Sequence, residues 1–251
     1  MDNIISFVLV NYFSTSLIHR IENLLYSFNG QDGYDMEVIV VDNSSEFKSF
    51  NDHTLVIKQK SNLGFGRAAN AGAKKARGSV LAFVNPDVEF DSLTSLIGKI
   101  QTTQDNRIWG PWTVGRNGSF KSAFENTQNF FMYRRTTLDR PIDGRRIEVP
   151  FVSGGFLVVT KKFFDQLGGF DENIFMYCED VDLCKRARDF EGSVYIDSEV
   201  SIHHIGGGST GTKKPFKRLL VSINGHLVFF RKMGCGIFRS YLNAVKMALG
   251  K

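Results

Sequence analysis

Residues 36–45 read MEVIVVDNSS, a nearly unbroken apolar run that ends in four polar side chains. A run of this kind is typical of a strand that helices cover on both faces. Short apolar runs and helical patterns alternate around it through the first 90 residues, and this alternation predicts a parallel α/β sheet. The predicted strands are residues 4–10, 36–41, 55–57 and 80–84, and the predicted helices are residues 14–28 and 66–76.

A second ordered block follows a stretch without clear periodicity. Residues 106–150 carry scattered aromatic residues, among them Trp112, and scattered glycines, a pattern that indicates irregular hairpins and a substrate loop. After this stretch the pattern predicts strands at residues 151–159, 194–196 and 200–204 and helices at residues 161–167 and 179–188.

Composition fits one large globular domain with a short appendage. The chain has 251 residues, 42% of them hydrophobic and 23% charged. The first residues run into a strand pattern without a basic leader, and no segment reaches the roughly 18 unbroken apolar residues of a membrane span, so we expect a cytoplasmic protein. The three cysteines are odd in number and lack CxxC spacing, so we expect reduced thiols rather than disulfides or a zinc site.

The C-terminal tail is basic, whereas the body of the chain is mildly acidic. Residues 213–251 contain nine Lys or Arg and no Asp or Glu. Their apolar residues predict a helical pair that packs on the body with a solvated basic rim. The alternative is attraction to anionic lipid, worth about 1 kcal/mol for each basic residue near the surface. We expect no nucleic-acid partner, because the body is acidic and carries no recognition motif.

Two predicted strands end in acidic residues at the edge where open α/β sheets bind ligands. After the first, Asp42 and its polar neighbours are typical of a turn, but a carboxylate here could also accept the imide N–H of uracil or thymine. After the second, Pro86 keeps Asn85 out of the helical region and so places Asp87 on a rigid turn at this edge. Asn-Pro-Asp is a common turn sequence, yet its oxygens also suit a hard divalent cation that bridges a diphosphate.

Residues 62–72 allow two interpretations. Gly64, Gly66 and Ala69 are spaced as in a dinucleotide-binding fingerprint, and Asp87 lies about 20 residues further on, so an NAD(P)-binding oxidoreductase is one hypothesis. Against it, a complete βαβ unit precedes these glycines, whereas the fingerprint normally follows the first strand. The other interpretation is a helix start of small residues, which lets the backbone and Arg67 approach a diphosphate.

Acidic residues and histidines in the second block are further candidates. Glu179 and Asp180 follow an apolar and aromatic stretch, a setting that raises a carboxyl pKa and suits it to proton abstraction; electrostatic stabilisation of a helix start is the alternative. His203 and His204 end a strand before three glycines. They are either structural, or His204 is a neutral imidazole that completes a metal site begun by Asp87.

In this order, the segments resemble the inverting family-2 glycosyltransferases of the GT-A fold, especially the bacterial branch of rhamnosyltransferases that build surface polysaccharides. The resemblance covers roughly residues 4–210 and is specific as an ordered set rather than in any single motif. The matching stretches are residues 10–12, 41–45, 62–72, 85–87, 153–156, 169–172, 179–183 and 204–209.

The resemblance implies a role for several nucleotide-binding positions. Asp42 would bind the pyrimidine, with Asn11 and Tyr12 lining the base. Residues of the 62–72 stretch would lie near the diphosphate or ribose; they are Asn62, Gly66 and Arg67.

For the metal, Asp87 matches the last acid of the Asp-x-Asp motif and His204 matches its distant ligand. Asn85 stands where the motif has its first acid, and it supplies no charge. Asp180 matches the catalytic base, with Glu179 beside it as a second candidate. We expect Gly154 and Gly155, together with Trp112, to contact the donor or acceptor sugar.

These expectations combine into one hypothesis. Residues 1–212 form a GT-A domain with a mostly parallel sheet, in which 1–105 binds the nucleotide and 106–212 binds the acceptor and catalyses transfer. Residues 213–251 form basic amphipathic helices. We expect the donor to be a dTDP- or UDP-sugar and the cofactor to be Mn²⁺ or Mg²⁺. We expect the acceptor to be a lipid-linked glycan at the inner face of the cytoplasmic membrane. A non-catalytic carbohydrate-binding relative is the third hypothesis, besides the oxidoreductase.

Overall fold

The computed structural model describes residues 4–28, 35–115, 146–204 and 215–248. Its strands are β1 (Ile4–Asn11), β2 (Asp35–Asp42), β3 (Leu55–Lys58), β4 (Val80–Val84), β5 (Val88–Phe90), β6 (Arg107–Gly115), β7 (Arg146–Glu148), β8 (Phe156–Thr160) and β9 (Ser193–His204). Its helices are α1 (Thr15–Ser27), α2 (Phe65–Lys75), α3 (Leu93–Gln101), α4 (Lys161–Gln166), α5 (Glu179–Asp189), α6 (Pro215–Lys232) and α7 (Ile237–Ala248). The strands form one sheet in the order β3-β2-β1-β4-β8-β6-β9-β5, with β7 paired to β9.

The first half of the sheet is parallel, as the alternating pattern predicted. β1 pairs in parallel with β2 and β4, and β2 with β3. Alternate side chains of each strand enter different cores: Val8 packs in the core that includes the alanines of α2, whereas Phe7 packs with Ile18 of α1. Both faces are therefore covered, which explains the nearly continuous apolar sequence of β2.

The second half of the sheet is mixed, which corrects the prediction of a mostly parallel sheet. β8 is antiparallel to β4 and β6, whereas β6 is parallel to β9. β5 and β7 are both antiparallel to β9. The two strands predicted at 194–196 and 200–204 are one strand, β9, and the predicted strand 151–159 is regular only from Phe156.

The largest difference from the sequence-based expectation is β6, a central strand within the stretch predicted to be irregular. Gly110 and Pro111 interrupt its apolar pattern. A Cβ on Gly110 would lie 2.9 Å from the carbonyl oxygen of Phe156, so close strand packing requires glycine there. The register with β9 shifts between Pro111 and Trp112, as expected where proline cannot donate to the ladder. The remainder of the predicted substrate loop, residues 116–145, and the glycine turn 206–208 lie outside the described residues.

Helix α6 packs onto the body of the protein. Phe229 and Phe230 are buried in the same core as Phe151 and Val181. This agrees with the interpretation of the tail as a packed helical pair, of which α7 is the second member. None of the helices described is both long enough and apolar enough to cross a membrane. The cysteines Cys178, Cys184 and Cys235 are free thiols, as predicted.

Candidate active site

The carboxyl ends of β1 and β2 meet in a buried polar turn. Asn11 and Asp42 are register partners, and Asn11 Nδ2 donates to Asp42 Oδ1 at 2.9 Å. The Asp42 carboxylate also accepts from the backbone N–H groups of Ser44 at 3.0 Å and Phe47 at 2.8 Å. Burial favours a higher pKa for Asp42, but the hydrogen bonds from Ser44, Phe47 and Asn11 outweigh it and lower the pKa below its usual value. Asp42 thus holds the turn as a carboxylate, and its contact with a base stays a prediction.

Tyr12 and Phe13 lie on the chain that leaves β1 at this edge. The Asn11 Oδ1 atom accepts from the backbone N–H of Ser14 at 3.0 Å and so fixes the turn. Phe13 has a left-handed φ of 55°, and its ring is 56% exposed. The two rings are in edge contact with centroids 4.7 Å apart. An aromatic surface therefore borders the predicted base site.

The glycines of the 62–72 stretch serve chain packing. Asn62 Oδ1 accepts from Gly64 N–H at 2.9 Å, which forms the turn into α2. A Cβ on Gly64 would overlap the backbone carbonyl of Phe175, and one on Gly66 would lie 3.2 Å from Cβ of Phe170. Both glycines therefore let residues 170–175 approach α2, and this accounts for the spacing that resembles a dinucleotide fingerprint.

Arg67 lies on the exposed side of the start of α2. Its Nε donates to the carbonyl oxygen of Glu172 at 2.7 Å, and its side chain is 48% exposed. The guanidinium therefore has solvent-facing surface while it also tethers the segment that precedes Asp180. Its contact with a diphosphate or ribose stays a prediction.

The turn Asn85-Pro86-Asp87 joins β4 to β5 and brings two predicted metal ligands together. The backbone N–H of Val88 donates to the carbonyl oxygen of Asn85 at 3.3 Å, which closes the turn. Because Val88 and His204 are register partners in β5 and β9, Asp87 lies next to His204, with Oδ1 3.2 Å from Nε2. Over the described ranges of the chain, no third His, Cys, Asp or Glu joins them in a metal-binding group.

A short loop between Val152 and β8 connects this pair of side chains with Asp180. A Cβ on Gly155 would lie 2.8 Å from Nδ1 of His204, so only glycine allows the imidazole to pack on this backbone. Gly154 N–H donates to Asp180 Oδ2 at 2.8 Å. The backbone N–H of Asn85 bonds to the carbonyl oxygen of Gly155 at 2.9 Å. The loop therefore places both predicted ligands, both predicted glycines and the predicted base in one continuous group.

Asp180 stands in the first turn of α5, where backbone N–H groups stabilise negative charge. Its Oδ1 accepts from the N–H of Val181 at 2.8 Å, in addition to the bond from Gly154. Burial raises the pKa of Asp180 above its usual value, and the hydrogen bonds from Gly154 and Val181 oppose this shift. A raised pKa makes the carboxylate form of an acid a stronger proton acceptor.

Glu179, the adjacent acid, differs from Asp180 in its hydrogen bonding and in its pKa. Its side chain is buried, and Oε2 has no hydrogen-bond partner in the part of the chain that the structure describes. Burial, followed by the negative charge of Asp180, raises the pKa of Glu179 to about 8. At neutral pH Glu179 is therefore mainly protonated, whereas the hydrogen bonds that Gly154 and Val181 donate to Asp180 favour its carboxylate form.

Trp112 does not belong to this group, which corrects its prediction as a sugar contact. Its side chain is 4% exposed and packs in the core with Phe151 and Val152. A ring that is enclosed on both faces offers no surface on which a sugar could stack. Trp112 lies on β6 with its side chain in the core. This position was not predicted, because the strand itself was not recognised in the sequence.

His226, a buried residue of α6, received no role from the sequence. This histidine is 9% exposed, and its electrostatic interaction with Asp180 is among those that lower the pKa of that carboxyl. The available signal was a Gly-His pair in the middle of an otherwise apolar helical pattern. Such a pair is unusual because glycine weakens a helix unless another chain must approach closely.

Comparison with known proteins relates the chain to sugar transferases. The family model described as Glycosyl transferase family 2 matches residues 6–168. An N-acetylglucosaminyl-diphospho-decaprenol L-rhamnosyltransferase from Mycobacterium tuberculosis is 38% identical over 95 residues, which are 38% of this chain and 30% of that protein. The low-salt glycan biosynthesis hexosyltransferase Agl10 from Haloferax volcanii is 28% identical over 198 residues, 73% of this chain and 61% of that protein. The chain thus spans less than two thirds of either relative.

Solved structures share the fold at low sequence identity. GalNAc-T7 with UDP, GalNAc and Mn²⁺ superposes with a TM-score of 0.61 at 15% identity, covering 98% of this chain and 57% of that one. The mannosyltransferase PcManGT from Pyrobaculum calidifontis, in complex with GDP-Man and Mn²⁺, gives a TM-score of 0.60 at 12% identity. The superposition covers 96% of this chain and 69% of that one. The α/β fold predicted from the sequence, of the GT-A type, is confirmed.

Proposed function

Because the chain belongs to glycosyl transferase family 2, we propose that it transfers a sugar from a UDP- or dTDP-sugar to a hydroxyl of a growing glycan, with inversion at the anomeric carbon. The observation that carries this proposal is the position of Asp180. Its carboxylate accepts from the N–H of Val181 and from the N–H of Gly154, and the loop that carries Gly154 also contacts His204 beside Asp87. This loop thereby connects the proposed base with the two side chains proposed to bind the metal.

In the proposed reaction Asp180 accepts the proton of the acceptor hydroxyl. The acceptor oxygen then forms a bond to the anomeric carbon from the face opposite the leaving group, and the bond from that carbon to the phosphate oxygen breaks. The nucleoside diphosphate leaves with the bonding electrons. Glu179 does not compete for the proton, because it is already mainly protonated at neutral pH.

Asp87 and His204 fit a divalent cation in their chemistry. A carboxylate and an imidazole suit Mn²⁺, and the carboxylate also suits Mg²⁺; two protein ligands leave room for water and diphosphate oxygens. Asn85 can add a neutral carbonyl oxygen at the same turn. When bound, the cation would stabilise the negative charge of the departing diphosphate. The two solved neighbours, GalNAc-T7 and PcManGT, are both complexes with Mn²⁺.

The proposed substrates follow from the two sides of the site. Asn11, Tyr12 and Asp42 would bind the pyrimidine, and the aromatic pair at the end of β1 supports stacking of a base. Asn62, Gly66 and Arg67 would lie toward the diphosphate, with residues 1–105 as the nucleotide half of the domain. A lipid-linked acceptor is proposed because the mycobacterial relative is named for a diphospho-decaprenol substrate.

A panel of sugar donors with Mn²⁺ tests the proposed function through release of the nucleotide. We expect one donor among dTDP-rhamnose, UDP-galactose, UDP-glucose and their N-acetyl forms to be used, and we expect EDTA to stop the release. UDP or dTDP should also raise the melting temperature only with metal present. Stabilisation by NAD without metal would instead support the oxidoreductase, and a carbohydrate-binding relative without activity would release nucleotide from no donor.

We also propose that the outer face of α6 and α7 contacts an anionic membrane surface. The large apolar residues Phe216, Leu220 and Tyr241 are 70%, 51% and 54% exposed, and Arg231 is exposed on α6. Exposed apolar side chains on helices that also expose basic ones suit the boundary between headgroups and acyl chains. This surface would bring the site close to a lipid-linked acceptor.

Replacing both Phe216 and Leu220 by serine should weaken binding to vesicles of phosphatidylcholine and phosphatidylglycerol, measured by sedimentation. The double variant lacks two apolar side chains that the membrane would bury, so its binding should be weaker by at least about 10-fold. Phe50→Ser is the matched control, since Phe50 is 84% exposed but lies before β3. Equal binding by the native protein, the double variant and Phe50→Ser would contradict the membrane proposal. Deletion of the tail is unsuitable as a test because Phe229 and Phe230 belong to the core.

A further inference from the structure

Helix α6 touches the 171–178 segment, which leads into Asp180. A Cβ on Gly225 would lie 2.3 Å from the carbonyl oxygen of Met176 and 2.5 Å from that of Tyr177. Real Cβ atoms do not approach other atoms so closely, so only glycine allows this contact. The backbone of α6 therefore packs directly against the backbone of the segment, just before Asp180.

The segment is sharply bent where α6 touches it. Tyr177 and Cys178 have φ angles of 70° and 73°, in the left-handed region that residues other than glycine rarely adopt. Two such residues in succession persist only where the surrounding structure holds them. The first bond of α5 follows at once, because Asp182 N–H donates to the carbonyl oxygen of Cys178 at 2.9 Å. The bend therefore sets the direction in which α5 begins, and with it the position of Asp180.

The C-terminal end of α6 carries a cation that joins the segment to α5. Lys232 Nζ lies 2.8 Å from Asp171 Oδ2 and 2.7 Å from Asp182 Oδ1. Asp171 begins the segment, and Asp182 lies in the first turn of α5 together with Asp180. Asp182 is fully buried, so its charge needs partners; Arg186 Nε lies 2.8 Å from its other oxygen, Oδ2. One ammonium group thus holds both ends of the bent segment.

Both contacts come from one face of α6. Gly225, Phe229 and Lys232 follow the i, i+4, i+7 spacing that places residues on the same side of a helix. Phe229 is fully buried, in the core cluster that includes Cys178 and Val181. This face therefore supports the segment over two turns of α6 rather than at a single point.

We propose that Lys232 is a positioning residue for Asp180. Its two ion pairs, together with the contact at Gly225, keep the first turn of α5 in the orientation in which the carboxylate meets the acceptor hydroxyl. The orientation matters because a base must lie within hydrogen-bond reach of the proton, and a displacement of about 1 Å can cost about 100-fold in rate. The inference rests on the proposed function, and it gives a part in catalysis to a helix outside residues 6–168, which match the family model.

The test compares kcat of the native protein and of Lys232→Met, counted for each nucleotide-binding site that titration with UDP or dTDP and Mn²⁺ detects. Methionine retains an unbranched side chain without the charge, and Asp182 keeps its pair with Arg186, so we expect the variant to fold. We expect kcat for each site to fall about 10-fold or more, with KM for the donor and the nucleotide affinity unchanged. A loss of folded protein alone would lower the number of sites instead.

The same substitution in an Asp180→Asn protein shows whether Lys232 acts through Asp180. Without the base its orientation no longer matters, so Lys232→Met should lower the remaining transfer by less than about 2-fold. Lys232→Arg retains the charge and should recover most of kcat. Lys161→Met is the matched control. Lys161 pairs with Asp165 at 2.8 Å and follows β8 at the edge of the sheet opposite the site, so kcat should not change.

Each outcome decides the inference. Native kcat for each site in Lys232→Met would overturn it, and so would an equal loss in the native and Asp180→Asn backgrounds. If Lys232→Met does not fold, judged by its melting curve, Gly225→Ala decides, and native kcat for each site in that variant would overturn the inference.

Amide hydrogen exchange tests the support of the segment without any donor. Residues 171–181 should exchange faster in Lys232→Met than in the native protein, because the ion pairs that hold them are lost. Exchange at the native rate would contradict the inference. Absence of transfer by the native protein with every donor would refute the proposed function instead.

Discussion

Asp180→Asn is expected to lower kcat for sugar transfer by about 10²- to 10⁴-fold while the nucleotide still binds. Asparagine has nearly the same shape and can still accept the N–H of Gly154, which now donates to Oδ2 at 2.8 Å. It has no basic oxygen to receive the proton of the acceptor hydroxyl. Transfer is measured by product formation, and nucleotide affinity by titration with UDP or dTDP in the presence of Mn²⁺.

Two further variants separate Asp180 from its neighbours. Glu179→Gln replaces an acid whose pKa is raised to about 8 by burial and by Asp180, so it is mainly neutral already and we expect less than about a 10-fold loss at pH 7. Asp189→Asn makes the same chemical change at the exposed end of α5, where Asp189 pairs with Lys185, and should leave transfer unchanged. Full activity of Asp180→Asn, or a larger loss in Glu179→Gln, would show that Asp180 is not the base.

Gly64→Ala is expected to lower the free energy of unfolding by about 2–4 kcal/mol and to reduce transfer as well. Gly64 has a φ of +82°, which L-residues rarely adopt, and a Cβ would overlap the carbonyl of Phe175. That carbonyl oxygen accepts from the N–H of Phe65 at 3.0 Å, so the clash displaces the chain that continues into the loop before Asp180. Denaturant unfolding measures the first effect and nucleotide release the second.

Gly98→Ala is the matched control for this prediction. Gly98 lies within α3 with nothing near the position of its Cβ, so alanine should stabilise the protein by about 0.5–1 kcal/mol through its helix propensity. The same substitution should thus have opposite signs at the two glycines. A Gly64→Ala protein as stable as the native one would contradict the packing role of Gly64 and would reopen the interpretation of residues 62–72 as a phosphate-binding loop.

Several site positions could be predicted because their chemistry is local. Asp42 and Asp87 directly follow buried strands, and the carboxyl ends of parallel strands share one edge of a sheet. Asp180 follows an apolar stretch at a helix start, which is visible in the sequence. His204 was identified from its place after a strand, but its distance of 3.2 Å from Asp87 depends on the pairing of β5 with β9, across 117 residues.

Other features had no local signal. Glu179 and Asp180 are adjacent acids in the sequence, and only tertiary contacts distinguish them: Gly154 donates to Asp180, whereas Oε2 of Glu179 is buried with no hydrogen-bond partner among the described residues. Trp112 was predicted to contact a sugar because the stretch around it was interpreted as an irregular substrate loop. Its burial depends on neighbouring strands that are distant in the chain.

The sequence by itself determined the parallel half of the sheet and the kind of residue at each strand end, because helix and strand periodicity and turn residues act over a few neighbours. Tertiary structure alone decided the antiparallel half, the pairing of Asp87 with His204, and the contact of α6 with the Asp180 loop. These depend on which distant surfaces pack together, and packing is set by the whole core rather than by any one segment. The tail, basic and amphipathic in sequence, therefore packs through α6 against the loop that precedes Asp180 in the folded protein.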